Sequence, residues 1–160
     1  MLWEIENDPN LQYRQEYFDA MVELCGNDNT LILVKIKEDA PEFEMGHKTA
    51  KRMNLSSLPE CLQEVVNLTI ASFNADAPYV FLVSKGAGWH VNRHFHKDFS
   101  GVSSFQPVVV LSEKPVTGVT FGNNTKTLTT NRALINVREW HWVEPQESNN
   151  IWVSIIAGIW

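Results

Sequence analysis

The stretch Trp89-His90-Val91-Asn92-Arg93-His94-Phe95-His96-Lys97-Asp98-Phe99 decides how the rest of this chain is read, and it holds three of the five histidines. In an extended strand successive side chains point to opposite faces. His90, Asn92, His94, His96 and Asp98 then share one face. Trp89, Val91, Phe95 and Phe99 share the other, with Arg93 and Lys97 among them. One face is built from metal-ligand residue types and the other is mostly apolar. A strand that packs its apolar side against a second layer, and turns imidazoles and a carboxylate the other way, forms the wall of a site.

On either side of this stretch the chain reads as β structure. After Pro78 no helical periodicity remains. Strands are expected at 79–84, 89–99, 105–111, 116–121, 126–130, 133–143 and 151–160, separated by turn signals such as Lys85-Gly86-Ala87-Gly88, Gly122-Asn123-Asn124 and Thr130-Asn131-Arg132. Before Pro78 two helices are expected. Asp8-Pro9 supplies an N-cap and a first helical residue, Leu11, Phe18, Met21, Val22 and Cys25 an apolar stripe, and Gly26 the stop. Ser57 and Glu60 have the spacing of a capping box, followed by the stripe Leu62, Val65, Val66, Thr69, Ile70 and Phe73. Between them a strand is expected at 31–36, then an irregular segment at 37–56, with Pro41, Gly46 and His47, that reads as a lid or edge.

Helices followed by short antiparallel strands, about eight in all, predict an α+β chain that is mainly β. The expected architecture is a jelly roll with the two helices packed on the outer face of one sheet. A single domain is expected over residues 1–160, with a helical cover over 1–78 and a metal-binding β core over 79–160.

Composition narrows the function. A net charge of −6 argues against a surface that tracks phosphates, so no nucleic-acid partner is expected. Cys25 and Cys61 are the only cysteines, fall on apolar helix positions and read as buried free thiols. The N-terminus lacks the basic and apolar regions of a signal peptide, and the apolar run at 151–160 is half a membrane span. A soluble, cytoplasmic protein is expected, with no membrane partner. The aromatic-rich last strand could pair across a homodimer.

His96 and Asp98 lie two apart on one strand face, and His141 lies on the predicted strand 133–143. Two histidines and one carboxylate on one face of a metal make the facial triad of non-haem iron(II) oxygenases. Three ligands hold the ion while adjacent positions stay open, and the carboxylate offsets part of its charge. His-x-Asp, a long strand-rich gap, a distal His and one last strand together resemble the 2-oxoglutarate- and iron(II)-dependent oxygenases. The likeness covers roughly residues 79 to 160 and is nearest to the aspartyl/asparaginyl β-hydroxylase and proline-hydroxylase-like branch. It implies a double-stranded β-helix, of cupin-like form, in which His96, Asp98 and His141 hold iron(II) and act in catalysis. It implies 2-oxoglutarate as co-substrate and hydroxylation of an unactivated C–H bond in a small molecule or a peptide side chain.

One position departs from that pattern. The family binds the distal carboxylate of 2-oxoglutarate with Arg or Lys, often in an Arg-x-Ser pattern on the last strand. Here Ser154 matches the Ser, but Trp152 stands where the Arg would be. A buried carboxylate needs a cation or several donors. Either the cation comes from another strand, with Lys114, Lys126 and Arg132 as candidates, or the co-substrate differs, or the site is degenerate. Two other readings stand beside the oxygenase. One is a cupin-type metalloprotein using His94, His96 and His141 without 2-oxoglutarate. The other is a non-enzymatic jelly-roll binding module in which these histidines pack or face water. His94 could also line the pocket or support a ligand. His47 reads as a loop residue, and most of the tryptophans read as packing.

Overall fold

A computed structural model describes residues 1–26, 29–42, 51–88, 94–95, 105–136 and 138–156. His47, His90, His96 and Asp98 lie outside the described residues, as does most of the stretch 89–104. The element order is β1 (Leu2–Ile5), α1 (Gln15–Cys25), β2 (Asn29–Lys35), β3 (Lys51–Asn54), a 3-10 turn (Leu55–Ser57), α2 (Glu60–Ser72), β4 (Tyr79–Lys85) and β5 (His94–Phe95). It continues with β6 (Phe105–Ser112), β7 (Val116–Phe121), β8 (Asn124–Leu128), β9 (Arg132–Asn136), β10 (Trp140–Val143) and β11 (Asn150–Ile156). The chain is α+β and mainly β, as its patterning predicts.

The strands form a seven-stranded sheet in the order β1-β9-β6-β11-β4-β2-β3 and a four-stranded sheet in the order β5-β10-β7-β8. All pairings are antiparallel except β2 with β3. Alternation along each strand divides the buried side chains between two cores. Ile32, Val34, Val80, Leu82, Val109, Leu111, Ile151 and Val153 point from the seven-stranded sheet toward Phe18, Met21, Leu62, Val65 and Val66 of the two helices. Their neighbours in sequence point the other way. Val108, Val110, Ala133, Ile135 and Trp152 meet Val116, Val119, Phe121, Leu128 and Val143 of the four-stranded sheet or its ends. Each fully buried Leu, Ile or Val contributes about 1.5–3 kcal/mol relative to exposure. The helices therefore cover one face of the larger sheet, and the smaller sheet covers the other.

Local details differ from the expectations. The first helix begins at Gln15, not at Pro9, with Arg14 at its N-cap position and no side-chain cap. Asp8 instead closes a turn, accepting Leu11 N–H at its carbonyl and Asn10 N–H at its carboxylate. Ser72 of α2 also donates to that carboxylate, at 2.7 Å, and this bond does most to hold the Asp8 carboxyl below its ordinary pKa. Gly26 does end α1, in the left-handed conformation at φ 74°. Ser57 lies in the 3-10 turn and caps nothing, while Pro59 occupies the N-cap of α2. Cys25 and Cys61 are free thiols but are half-buried, not buried.

Three differences change the topology. Residues 51–54, at the end of the segment 37–56 expected to be irregular, form β3, an edge strand parallel to β2. The predicted strand 133–143 is two strands, β9 in the larger sheet and β10 in the smaller one. The N-terminal Leu2–Ile5 adds an edge strand beside β9 that sequence patterning missed.

Asn131 fastens the segment before α1 to the turn between β8 and β9. Its side-chain amide donates to Asp8 O at 2.7 Å and Leu11 O at 2.8 Å, and its amide oxygen accepts Asp8 N–H at 2.9 Å. Asn131→Ala leaves three backbone groups without these partners and is expected to lower stability by about 2–3 kcal/mol in urea unfolding. An unchanged midpoint would show that the clamp contributes nothing.

Candidate functional site

His141 is placed by its strand. Val143, two residues on and on the same face of β10, belongs to the core between the sheets. His141 therefore looks toward that core, and its ring stacks on Phe121 at a centroid distance of 4.7 Å and an interplanar angle of 13°. Trp140, on the opposite face, is 54% exposed. The imidazole Nδ1 lies 2.9 Å from Glu139 O. A carbonyl can only accept, so the proton sits on Nδ1 and the lone pair on Nε2. A backbone carbonyl orienting one ring nitrogen in this way is the usual support for a metal-ligating histidine.

Two glycines let the neighbouring strand lie close to this segment. Gly118, in β7, has φ +62°, and a Cβ there would meet Glu144 Cγ at 2.5 Å. Gly122, just after β7, has φ +63°, and a Cβ there would approach the Glu139 carboxylate at 3.1 Å. Both conformations favour glycine. Gly122 N–H donates to Trp140 O at 2.7 Å, and Glu144 N–H donates to Gly118 O at 3.1 Å. The two ends of β10 are thus tied to β7.

The other sheet neighbour of β10 is β5, where residue 94 pairs with His141 and residue 95 with Trp140. His96 and Asp98 follow β5 in sequence and lie outside the described residues. Among the described residues no three His, Cys, Asp or Glu side chains converge as a metal site.

The remaining candidates lie apart from His141. Ser154 is on the interior face of β11 and donates to the Gln106 amide oxygen at 2.7 Å. Lys126 donates to Leu2 O at 3.0 Å. Arg132 donates to Glu6 O and Ser72 O, and its guanidinium lies over the Phe73 ring. Lys114 pairs with Glu147 on the surface. Lys126 thus ties β8 of the smaller sheet to β1 of the larger one, and Arg132 holds the segment after β1 and the end of α2 to β9. A groove of about 580 Å³, lined by Asn7, Tyr13, Lys114, Pro115, Leu128 and Thr129 among others, includes neither His141 nor its strand neighbours.

A cation that sequence patterning did not single out sits on the interior face. Lys85 closes β4, opposite Asn150 of β11. It shares a face with Phe81 and Val83, whose partners are interior residues. Its Nζ stands 4.8 Å from the centroid of the Trp152 ring. Trp152 Nε1 donates to Asn150 Oδ1 at 2.7 Å, which fixes the indole plane. Part of the Lys85 residue reaches the surface, and burial pulls its pKa from 10.5 to about 8. Among the described residues no carboxylate pairs with it. The alternation 81, 83, 85 on the face of Trp152 was the available signal, hidden by the Lys-Gly turn pattern.

Because the folded pKa of Lys85 lies below the unfolded value, the unfolded chain binds more protons between about pH 8 and 10.5. The charging penalty is full below pH 8 and fades as pH rises through that window. Lys85→Met is therefore expected to stabilise the protein by about 1–3 kcal/mol at pH 7. The gain should shrink toward zero near pH 10.5, measured as the difference in urea midpoint from pH 6 to 10.5. A difference that does not change with pH would mean the ammonium is well solvated.

No protein-family model and no curated protein matches this chain.

Proposed function

We propose that this protein is an iron(II)- and 2-oxoglutarate-dependent dioxygenase that hydroxylates an unactivated C–H bond of a small molecule or a peptide side chain. The single observation that carries the reading is the pairing of β5 with β10, which makes neighbours of the strand leading into His96 and Asp98 and the strand holding His141. The orientation of His141 supports it, with Nδ1 against a carbonyl and the ring on Phe121.

The strand orders support a jelly roll of the double-stranded β-helix kind. From β4 to β11 the chain visits the larger sheet, the smaller, the larger and the smaller, then returns as smaller, larger, smaller and larger. The pairs β7·β8, β6·β9, β5·β10 and β4·β11 are those of one long hairpin folded over on itself. On this reading the whole chain is one domain, with β1, β2, β3 and the helices added around the eight-stranded core.

His96, Asp98 and His141 are the residues that would hold the metal, and their donor set of two imidazoles and one carboxylate fits iron(II). When bound, the metal and 2-oxoglutarate supply the oxidising equivalents for hydroxylation. The chain supplies the surroundings. Glu139 O keeps the His141 proton on Nδ1 and so presents Nε2 as the ligating atom. Phe121, Val119 and Val143 give that ring an apolar, water-poor wall. Free thiols at Cys25 and Cys61 suit a reducing compartment, and no helix among the described residues is long and apolar enough to cross a membrane. Both accord with a cytoplasmic enzyme.

Anaerobic iron(II) plus 2-oxoglutarate should give a weak visible charge-transfer band, and oxygen should then release succinate. Asp98→Ala and His141→Ala should lose the band and weaken metal binding by about 100-fold or more. Metal affinity should also fall as pH drops below about 6.5, where imidazole protonates. A colourless mixture without succinate would remove the dioxygenase reading. If metal still co-purified, the second reading would stand: a centre of His94, His96 and His141 without 2-oxoglutarate, favoured by residue 94 lying opposite His141. Absence of any bound metal would leave a jelly-roll binding module.

A further inference from the structure

We propose that Lys85 is the anchor for a carboxylate that enters between the two sheets, with Trp152 as its backing. This deepens the dioxygenase reading and rests on it for the identity of the acid, 2-oxoglutarate. It assigns the cation to β4, not to the last strand and not to Lys114, Lys126 or Arg132.

Three observations carry the assignment. Lys85 extends from the interior face of β4 over the indole of Trp152, with Nζ 4.8 Å from the ring centroid. A ring face holds an ammonium by its quadrupole but leaves the ammonium's N–H donors unsatisfied by any anion. No described carboxylate pairs with Lys85, whereas the charges of Lys37, Lys114 and Arg14 all meet acidic partners on the surface. The surrounding interior is polar in a restricted way. Asn150 is fully buried beside Lys85 in register, and Ser154 and Gln106 form a hydrogen-bonded pair farther along the same face. The contacts also run on toward the proposed metal site. Trp152 belongs to the same interior cluster as Phe121, and Phe121 carries His141 on its face. A dicarboxylate with one end at Lys85 and the other toward His141 would lie along that apolar cluster.

An uncompensated ammonium in this place is unfavourable, and a bound carboxylate relieves it through charge-assisted hydrogen bonds. Trp152 takes the position that an arginine holds in the resembled family. Lys85 reaches over it and brings a point charge in place of a planar fork.

The test is titration of the full chain with 2-oxoglutarate, and separately with glutarate, by calorimetry without metal. Thermal shift and the Nζ signal of 15N-lysine-labelled protein are read alongside. Wild type should bind both acids, and the Lys85 signal should move on saturation. Lys85→Met, expected to fold with a raised melting temperature, should bind at least about 30-fold more weakly, and Lys85→Arg should recover part of the loss. Equal binding by wild type and Lys85→Met would overturn the assignment while leaving the dioxygenase reading intact. Glutarate binding that depends on Lys85, in a protein that gives no charge-transfer band with iron(II) and 2-oxoglutarate, would uphold the anion site and remove the dioxygenase. Failure of wild type to bind either acid would overturn the assignment.

Discussion

The chain changes sheets between Asn136 and Trp140, and the placement of His141 depends on that step. Asn136 makes it with its own side chain. Its Oδ1 accepts Arg138 N–H at 3.0 Å and its carbonyl accepts Glu139 N–H at 3.4 Å. This is an Asx turn, in which a short amide replaces the hydrogen bonds that the strand gives up. Asn136 N–H meanwhile donates to Met1 O, so the last residue of β9 is still held by the edge strand while the chain turns away. The turn delivers Glu139 O to the His141 imidazole. A continuous strand over 133–143 would have kept His141 in the larger sheet, far from β5.

The cores are separate because the larger sheet lies between them. A sheet buried on both faces needs apolar residues at consecutive positions, whereas a sheet with one wet face alternates. β11 and β4 are apolar at nearly every position because they lie between the helices and the smaller sheet. β8 has one dry contact, at Leu128, and four exposed residues before it. The interior face of the smaller sheet includes Val119, Phe121, His141 and Val143.

Much of this could be read from the chain because the signals are local. The stripes of α1 and α2 follow the 3.6-residue period, and Gly26 marks its own helix end. His141 stood out as an imidazole between two tryptophans on a strand. What was not legible depends on partners distant in sequence. Asp8-Pro9 has the chemistry of a helix start, but Asp8 is held by Ser72 and Asn131, and the helix begins later. Ser57 and Glu60 have capping-box spacing, but the 3-10 turn takes Ser57. The break inside 133–143 carries neither Gly nor Pro, so nothing but the Asn136 side chain announces it. β1 is four residues long and finds its partner more than a hundred residues away, beyond the reach of periodicity. The letters at 96, 98 and 141 suggest the proposed metal triad, and the structure contributes the adjacency of β5 and β10.

Lys85 shows the same limit from the side of electrostatics. In sequence it is the first residue of a Lys-Gly turn, the sort of place where a lysine normally faces water. Strand alternation and the partner strand β11 instead turn it inward onto Trp152. There the ammonium loses solvation that a ring face only partly returns: a cation–π contact offers about 1–2 kcal/mol, against several for desolvating an ion. A methionine of similar length would fill the space without that cost. Packing alone does not call for a lysine at this position, and a bound anion of the kind proposed would compensate its charge. Trp152 fits the same logic. Its indole, pinned by Asn150, occupies the interior position on β11 and offers its ring face to Lys85 of the neighbouring strand β4.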